Sequence, residues 1–432
     1  MVETGVVAAL TAEGDGVVRN GKTVFVSGAL PGETVSFRRT RRHRQHDEAE
    51  LIEVLTPSPA RVVPRCPHFG ICGGCALQHL DPAAQIASKE SELREVLARV
   101  ARAEPDLWLP ALQAEVWNYR RRARLGAKFV HKKGRVVVGF RERAAPYIAM
   151  LEGCDVLAEP VGALIPALSA LMTGLELRDR IPQIEVAAAD NALALVFRVL
   201  APVGTADREQ LRAFEQTHGV RIYLQTGGVE TVQRLDDRIE EPLFYRIDDE
   251  AVRIDFRPTD FVQVHGGVNR ALVHLALELL APGPEDFVLD LFCGVGNFTL
   301  PLARRSREVL GIEGEAGLIA RARANAERNG ITNVRFAHAD LARPDPLAGA
   351  GLPGTVTHVL LDPPRTGAKE LIPALAALKP LKLLYISCHQ GSLARDIGML
   401  VHDHGMRLRA AGSLDMFPHT AHVESICLLE SV

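Results

Sequence analysis

The stretch Phe287-Val-Leu-Asp-Leu-Phe-Cys-Gly-Val-Gly-Asn-Phe-Thr-Leu-Pro-Leu-Ala303 decides the fold. It opens with apolar residues, which reads as a parallel strand buried on both faces. It breaks at Cys293-Gly294-Val295-Gly296-Asn297 and resumes as a short helix. Strand, glycine loop and helix make a nucleotide-binding layout, because residues without a Cβ let the backbone turn tightly and approach a ligand. A Gly-x-Gly pair alone also serves as a plain tight turn.

The neighbours of the loop narrow the ligand. A dinucleotide fingerprint needs a third glycine, and Thr299 stands at that place. Acidic Asp290 sits just before the loop. A carboxylate there suits a positively charged ligand better than a pyrophosphate, which points to S-adenosylmethionine rather than NAD. The next apolar run, Arg307–Gly314, carries Glu313 near its end, roughly 20 residues after the glycines, where such folds grip ribose hydroxyls. The competing reading of Glu313 is an acid that starts a helix.

Downstream the pattern alternates. A helix over Ala316–Asn329 is ended by Gly330, and a strand over Val334–Asp340 brings Asp340 to its carboxyl end, where it can meet the adenine. Thr357–Arg365 ends in Asp362-Pro363-Pro364-Arg365, a carboxylate on a rigid turn. Leu383–Cys388 ends in a cysteine at the same rim, and Phe417–Leu429 supplies Glu424 at a loop-to-strand junction. Such βα units predict an α/β, doubly wound Rossmann-like domain.

The 432 residues predict roughly two to four domains. A net charge of −3 excludes a chain that is basic throughout, so any nucleic-acid site is a local patch. No signal peptide is visible, and the apolar run near Ala271–Leu280 is too short to span a bilayer. The expectation is a cytoplasmic monomer without a membrane partner.

Residues 1–57 show five short β-like runs separated by turns and predict a small TRAM-like or OB-like barrel, with Arg38-Arg-Thr-Arg-Arg-His-Arg44 as a loop able to clamp phosphates. Residues 58–255 are expected to form a β-rich central division, and residues 256–432 the catalytic one. Cys66, Cys72 and Cys75 form a tight ligand loop, with Cys154 as the best fourth thiolate. That set suits a [4Fe–4S] cluster or zinc, and His68 or His79 could complete a zinc site instead. Asp81–Glu104 reads as an amphipathic helix burying Ile86, Leu93, Val96, Leu97 and Val100. Trp117–Leu125, continued by Lys128, Lys132, Lys133 and Arg135, interleaves Trp117, Tyr119 and Phe129 with cations, a pattern suited to looped RNA.

A cysteine at a strand end is usually buried and inert. Cys388 shares its rim with a glycine loop, an Asp-Pro-Pro turn and Glu424, and that changes the reading. C5 of uracil is a poor nucleophile. A thiolate adding to C6 makes C5 an enolate carbon able to take a methyl group, and a base must then remove the C5 proton.

These motifs, in this order, resemble the bacterial S-adenosylmethionine-dependent RNA uracil-C5 methyltransferases, and the likeness runs nearly the whole length. The branch with barrel and cysteine cluster acts on 23S ribosomal RNA; transfer RNA is the other target. The resemblance implies Cys388 as nucleophile and Glu424 as base. It implies Gln263, Phe292, Asn297, Glu313, Asp340 and Asp362 around the cofactor, and Cys66, Cys72, Cys75 and Cys154 as ligands of [4Fe–4S]. Two motifs depart from it. Where the family reads Ser-Cys-Asn-Pro, His389 and Gln390 follow Cys388; where it reads Phe-Gln-x-Asn, this chain has Val262-Gln263-Val264-His265. His389 is a candidate to help ionise Cys388, and loss of the asparagine is expected to alter contacts to base or cofactor. The competing readings are a non-catalytic iron–sulfur RNA-binding protein and an amino-group methyltransferase.

Overall fold

The computed structural model describes residues 1–236, 241–343, 347, 349–352 and 355–431. Strands Val2–Leu10, Gly16–Asn20, Lys22–Ser27, Thr34–Arg42 and His46–Thr56 close into a barrel. Its core is Val7, Val18, Val24, Val26, Val35 and Phe37, alternate inward positions of period-two strands. The run Arg38–Arg44 is not a loop as expected, for Arg38–Arg42 continue a strand. The reason is cross-strand charge pairing: Arg38 reaches Glu50 at 2.7 Å, and Arg39 reaches both Glu3 at 2.8 Å and the buried Asp47 at 2.5 Å.

The central division holds a six-stranded sheet in the order Gln233–Arg234, Val220–Gln225, Leu193–Arg198, Gln183–Ala188, Arg122–Val130, Arg135–Gly139. Helices Val161–Gly174 and Thr205–His218 accompany it.

The largest sheet has eight strands, in the order Val334–His338, Glu308–Glu313, Phe287–Leu291, His358–Leu361, Lys382–Ser387, Glu424–Glu430, Arg407–Leu414, Leu107–Trp108. Its first five strands are parallel, and Glu424–Glu430 enters antiparallel. Helices Gly266–Leu280 and Ala316–Arg328 contribute to the core on one face. Residues of Ile372–Leu378 and Gln390–His402 fill the other. This is the doubly wound architecture expected.

The expected limits of the central division do not follow the packing. Helix Pro82–Val96 and the π-helical turn Leu97–Ala101 bury Leu93, Leu97 and Ala101 in the catalytic core, and Leu107–Trp108 adds a strand to the catalytic sheet. The hairpin Leu243–Ile247/Val252–Phe256 also packs into that core, so a boundary at 255/256 cuts a strand. A short strand cannot bury its apolar residues alone and joins the sheet that can. Val100, expected inside, is 56% exposed because the helix has changed to a π turn before it.

Candidate active site

The glycine loop leaves the sheet between two parallel strands. Phe292, Gly294 and Gly296 have φ of 66°, 55° and 97°, the left-handed region that glycine enters without a Cβ clash. Thr299, where a third glycine was weighed, has a use of its own: its hydroxyl donates to Asp290 Oδ2 at 2.5 Å. The Gly294 N–H donates to Glu313 at 3.1 Å, and the Gly314 N–H donates to the same carboxylate at 2.7 Å. Glu313 thus ties the loop to the tip of the second strand.

Carboxyl groups converge here. Asp290 is fully buried and its Oδ1 has no partner. Burial, then repulsion from Asp362 and Glu313, pushes its carboxyl up to about 7. Burial pushes Asp362 up to about 7 as well. Gln263 donates its amide to Asp362 at 3.4 Å, so the segment after Phe256 reaches the Asp-Pro-Pro turn. Buried acids that resist ionisation form a site completed by a cation, which fits the sulfonium and ammonium of S-adenosylmethionine. Asn297 is tied into a different network: its Oδ1 accepts from Tyr245 Oη at 2.9 Å and from Asn269 at 3.0 Å, and its Nδ2 donates back to Asn269. It braces the loop against helix Gly266–Leu280. Asp340 is exposed and bonds locally to Arg343 and the Ala342 N–H.

Cys388 follows strand Lys382–Ser387 directly, and Glu424 opens its antiparallel neighbour, with Ser387 paired to Ser425. One register step further sets Cys388 opposite Glu424. Glu424 is buried and its Oε2 has no partner; burial and then Asp362 push it up to about 8, while Lys89 works against them. Burial raises the Cys388 thiol, Glu424 and Asp362 raise it further, and Arg365 opposes them.

Cys388 opens into a groove of about 1900 Å³. Arg124, Lys128, Lys133, Arg141, Arg143 and Arg365 line it, and the barrel contributes Ala12, Glu13 and Asp15. The expected basic patch is therefore partly in the groove, but its aromatics are not. Tyr119 is buried, donates to the Pro418 carbonyl at 3.0 Å and stacks on His265. Trp117 packs on His419 and Phe129 on the central core. Their rings are taken up by neighbours within the protein, Trp117 and Phe129 also lying under the guanidinium groups of Arg65 and Arg178. Tyr147 and Phe417 line the groove instead. The barrel arginines do not.

The four thiols come together. Cys66, Cys72, Cys75 and Cys154 line one recess with Phe69, Phe140, Leu151 and Val156. Burial pushes Cys72 up to about 11 and Cys75 up to about 12, with the other thiols adding to it. His68 also lines the recess, its Nε2 accepting from the Glu152 N–H at 3.0 Å, and His79 packs tilted against Phe69 without lining it.

Two features escaped the sequence reading. Lys89 lies on the apolar stripe of its helix, three residues after Ile86 and four before Leu93, and is 3% exposed. A lysine at core spacing was the available signal. Phe261, two residues before Gln263, is 70% exposed, which no local pattern announces.

Residues 81–343 and 351–432 match the model of the tRNA (uracil-5-)-methyltransferase family. The chain belongs to the RNA uracil-C5 methyltransferase family. It is 49% identical over 428 residues to a 23S rRNA (uracil(1939)-C(5))-methyltransferase of Alkalilimnicola ehrlichii, covering 98% of this chain and 95% of that one. It is 51% identical to the protein of the same description from Nitrosococcus oceani, with the same coverage. A crystal structure of the Pyrococcus abyssi tRNA (uracil-54, C5)-methyltransferase with S-adenosyl-L-homocysteine superposes with a TM-score of 0.76 at 23% identity, covering 99% of this chain and 100% of that one. It shows the fold. The chain is thus an RNA uracil-C5 methyltransferase with S-adenosylmethionine as methyl donor. The amino-group and non-catalytic readings are set aside.

In both departing motifs the histidine turns out to be a helix cap. His389 Nδ1 accepts from the Ser392 N–H at 3.2 Å at the start of helix Gln390–His402. That nitrogen serves the cap, not the Cys388 thiol as expected. His265 Nδ1 accepts from the Val268 N–H at 3.3 Å and its Nε2 donates to the Glu115 carbonyl at 2.8 Å. It is fully buried, with both ring nitrogens engaged within the protein. Imidazole does here what an asparagine side chain does at an N-cap.

Proposed function

We propose that this enzyme methylates C5 of a uridine in 23S ribosomal RNA, in the cytoplasm, with Cys388 as nucleophile and Glu424 as base. The observation that carries the reading is Cys388, which opens into a groove rich in arginine and lysine and lies one register step beyond the Ser387–Ser425 pair, across from Glu424 on the neighbouring strand. The ribosomal target is supported by the descriptions of relatives sharing about half of their residues over nearly the full length.

S-adenosylmethionine, when bound, supplies an electrophilic methyl group. Asp290, Glu313 and Asp362, with Gln263 and Phe292, would make its pocket; Asn297 holds the glycine loop in place from behind, and Asp340 would meet the adenine from the end of its strand. The Cys388 thiolate adds to C6 of a flipped uridine, and Arg365 favours that thiolate. After transfer, the Glu424 carboxylate takes the C5 proton and the thiolate leaves. The groove cations hold the phosphates, with the barrel at one end as a second RNA contact.

A [4Fe–4S] cluster on Cys66, Cys72, Cys75 and Cys154 is part of the same reading. Among the described residues, His43, His46 and Glu48 form the one group of three potential ligands whose atoms lie within 4.8 Å of one another. No three of the four thiol sulfurs therefore all stand that close to one another. A single zinc, with Zn–S of about 2.3 Å, draws its sulfurs to about 4 Å from each other, so the wider spacing favours a polynuclear cluster. When bound, it cross-links the 66–75 loop to Cys154. A brown anaerobic preparation with iron and sulfide that Cys72→Ser lacks supports it; stoichiometric zinc in their place refutes it.

Mass mapping of ribosomal and transfer RNA from a deletion strain tests the target. Loss of one 5-methyluridine from 23S rRNA is expected. Loss confined to transfer RNA overturns the ribosomal assignment.

A further inference from the structure

The connection 415–423 leaves strand Arg407–Leu414 and returns as strand Glu424–Glu430, whose first residue pairs with Leu414. Its position sets where Glu424 stands. Helix Pro82–Val96 grips it with polar side chains from its buried face. Gln85 accepts from the His419 N–H at 2.9 Å. Lys89 donates to Asp415 Oδ1 at 2.7 Å and to the Phe417 carbonyl at 3.1 Å. Lys89 and Asp415 are 3% and 5% exposed, so the pair is shielded from solvent and salt.

The charges facing this corner come from four elements. Lys89 and Glu92 project from the helix, and Asp415, His419 and His422 from the connection. Asp362 and Arg365 stand after strand His358–Leu361, and Cys388 after Lys382–Ser387. Around Glu424 itself, burial and Asp362 disfavour the carboxylate, and Lys89 favours it.

We propose that Lys89 is a positioning residue for the base: through Asp415 and the Phe417 carbonyl it fixes the connection that returns Glu424 to the sheet, and its ammonium supplies the positive charge against which the Glu424 carboxylate forms. This rests on Glu424 as base. In the step concerned, the C5 proton passes to a Glu424 oxygen and the C5–H electron pair closes the C5–C6 double bond. The C6–S bond breaks, returning its pair to Cys388.

The test uses full-length, cluster-loaded enzyme and RNA carrying 5-tritiated uridine, with tritium release and denaturing-gel adduct followed from pH 6.5 to about 9.5. Lys89→Met alone strands the Asp415 charge. The double variant Lys89→Met/Asp415→Asn leaves no unpaired buried charge and is run beside it. In both, the midpoint for release is expected to rise by about one unit, so release at pH 7 falls about tenfold. Adduct accumulates at pH 7, and the deficit closes at the alkaline end. Lys89→Arg restores the wild-type midpoint. A loss equal at every pH, or an unmoved midpoint in both methionine proteins, overturns the proposal. If Glu424→Gln itself leaves release intact, the base assignment falls first; if it blocks release while the methionine proteins keep their midpoint, only the role of Lys89 falls.

Discussion

Cys388 and Glu424 stand opposite each other at the ends of adjacent antiparallel strands, one register step beyond the Ser387–Ser425 pair. They are 36 positions apart in the chain and owe their meeting to a single reversal of strand direction in an otherwise parallel sheet. One partner is a half-exposed thiol and the other a buried carboxyl.

This separation of roles predicts opposite phenotypes. Cys388→Ala is expected to abolish methylation and give no RNA adduct. Glu424→Gln is expected to form the adduct, transfer the methyl group and stall, slowing turnover by about 10²–10⁴-fold, the range for loss of a general base. Denaturing gels with labelled RNA check both. An alanine variant that still methylates removes the covalent mechanism.

Cofactor binding is expected to depend on pH. Asp290 and Asp362 are held up to about 7 in the ligand-free pocket. A bound cation lowers both, so the complex holds fewer protons than the free enzyme. Affinity for S-adenosylmethionine therefore rises with pH up to about 7 and then levels, with proton release near neutrality. Calorimetry in buffers of different ionisation enthalpy reads the release directly. Neutral S-adenosylhomocysteine, which keeps the ammonium but lacks the sulfonium, shows a shallower dependence.

The histidine caps predict small, local effects. His389→Asn supplies another good cap and is expected to leave stability and turnover nearly unchanged. His389→Ala removes the acceptor for the Ser392 N–H and costs about 1 kcal/mol in denaturant unfolding. It loosens the turn that aims Cys388, so turnover falls as well. A large loss in His389→Asn with normal stability would instead give this imidazole a part in ionising the thiol.

Groove cations are expected to act through phosphates. Arg124→Ala and Lys128→Ala each weaken RNA binding and reduce the slope of log affinity against log salt by about 0.7, the value for a single-strand contact. Arg38→Ala, whose guanidinium already pairs with Glu50 and lies outside the groove, leaves the slope unchanged. Filter binding over a salt series measures all three.

The chain's own order of residues determined the βα alternation, the glycine loop with Asp290 just before it and Glu313 at the tip of the next strand, and the thiol-rich loop at residues 66–75. Each of these is a local pattern, set by side-chain period, backbone freedom or close spacing. Tertiary structure alone decided the rest. Whether Tyr119 meets solvent or His265, and whether Asn297 serves the ligand or Asn269, depends on which surfaces pack together. The same holds for the strand at Leu107–Trp108, too short to carry a period, which finds its place only on the edge offered by Arg407–Leu414. Lys89 joins Asp415 across 326 positions, because a buried ammonium must find its counter-charge wherever the fold brings one.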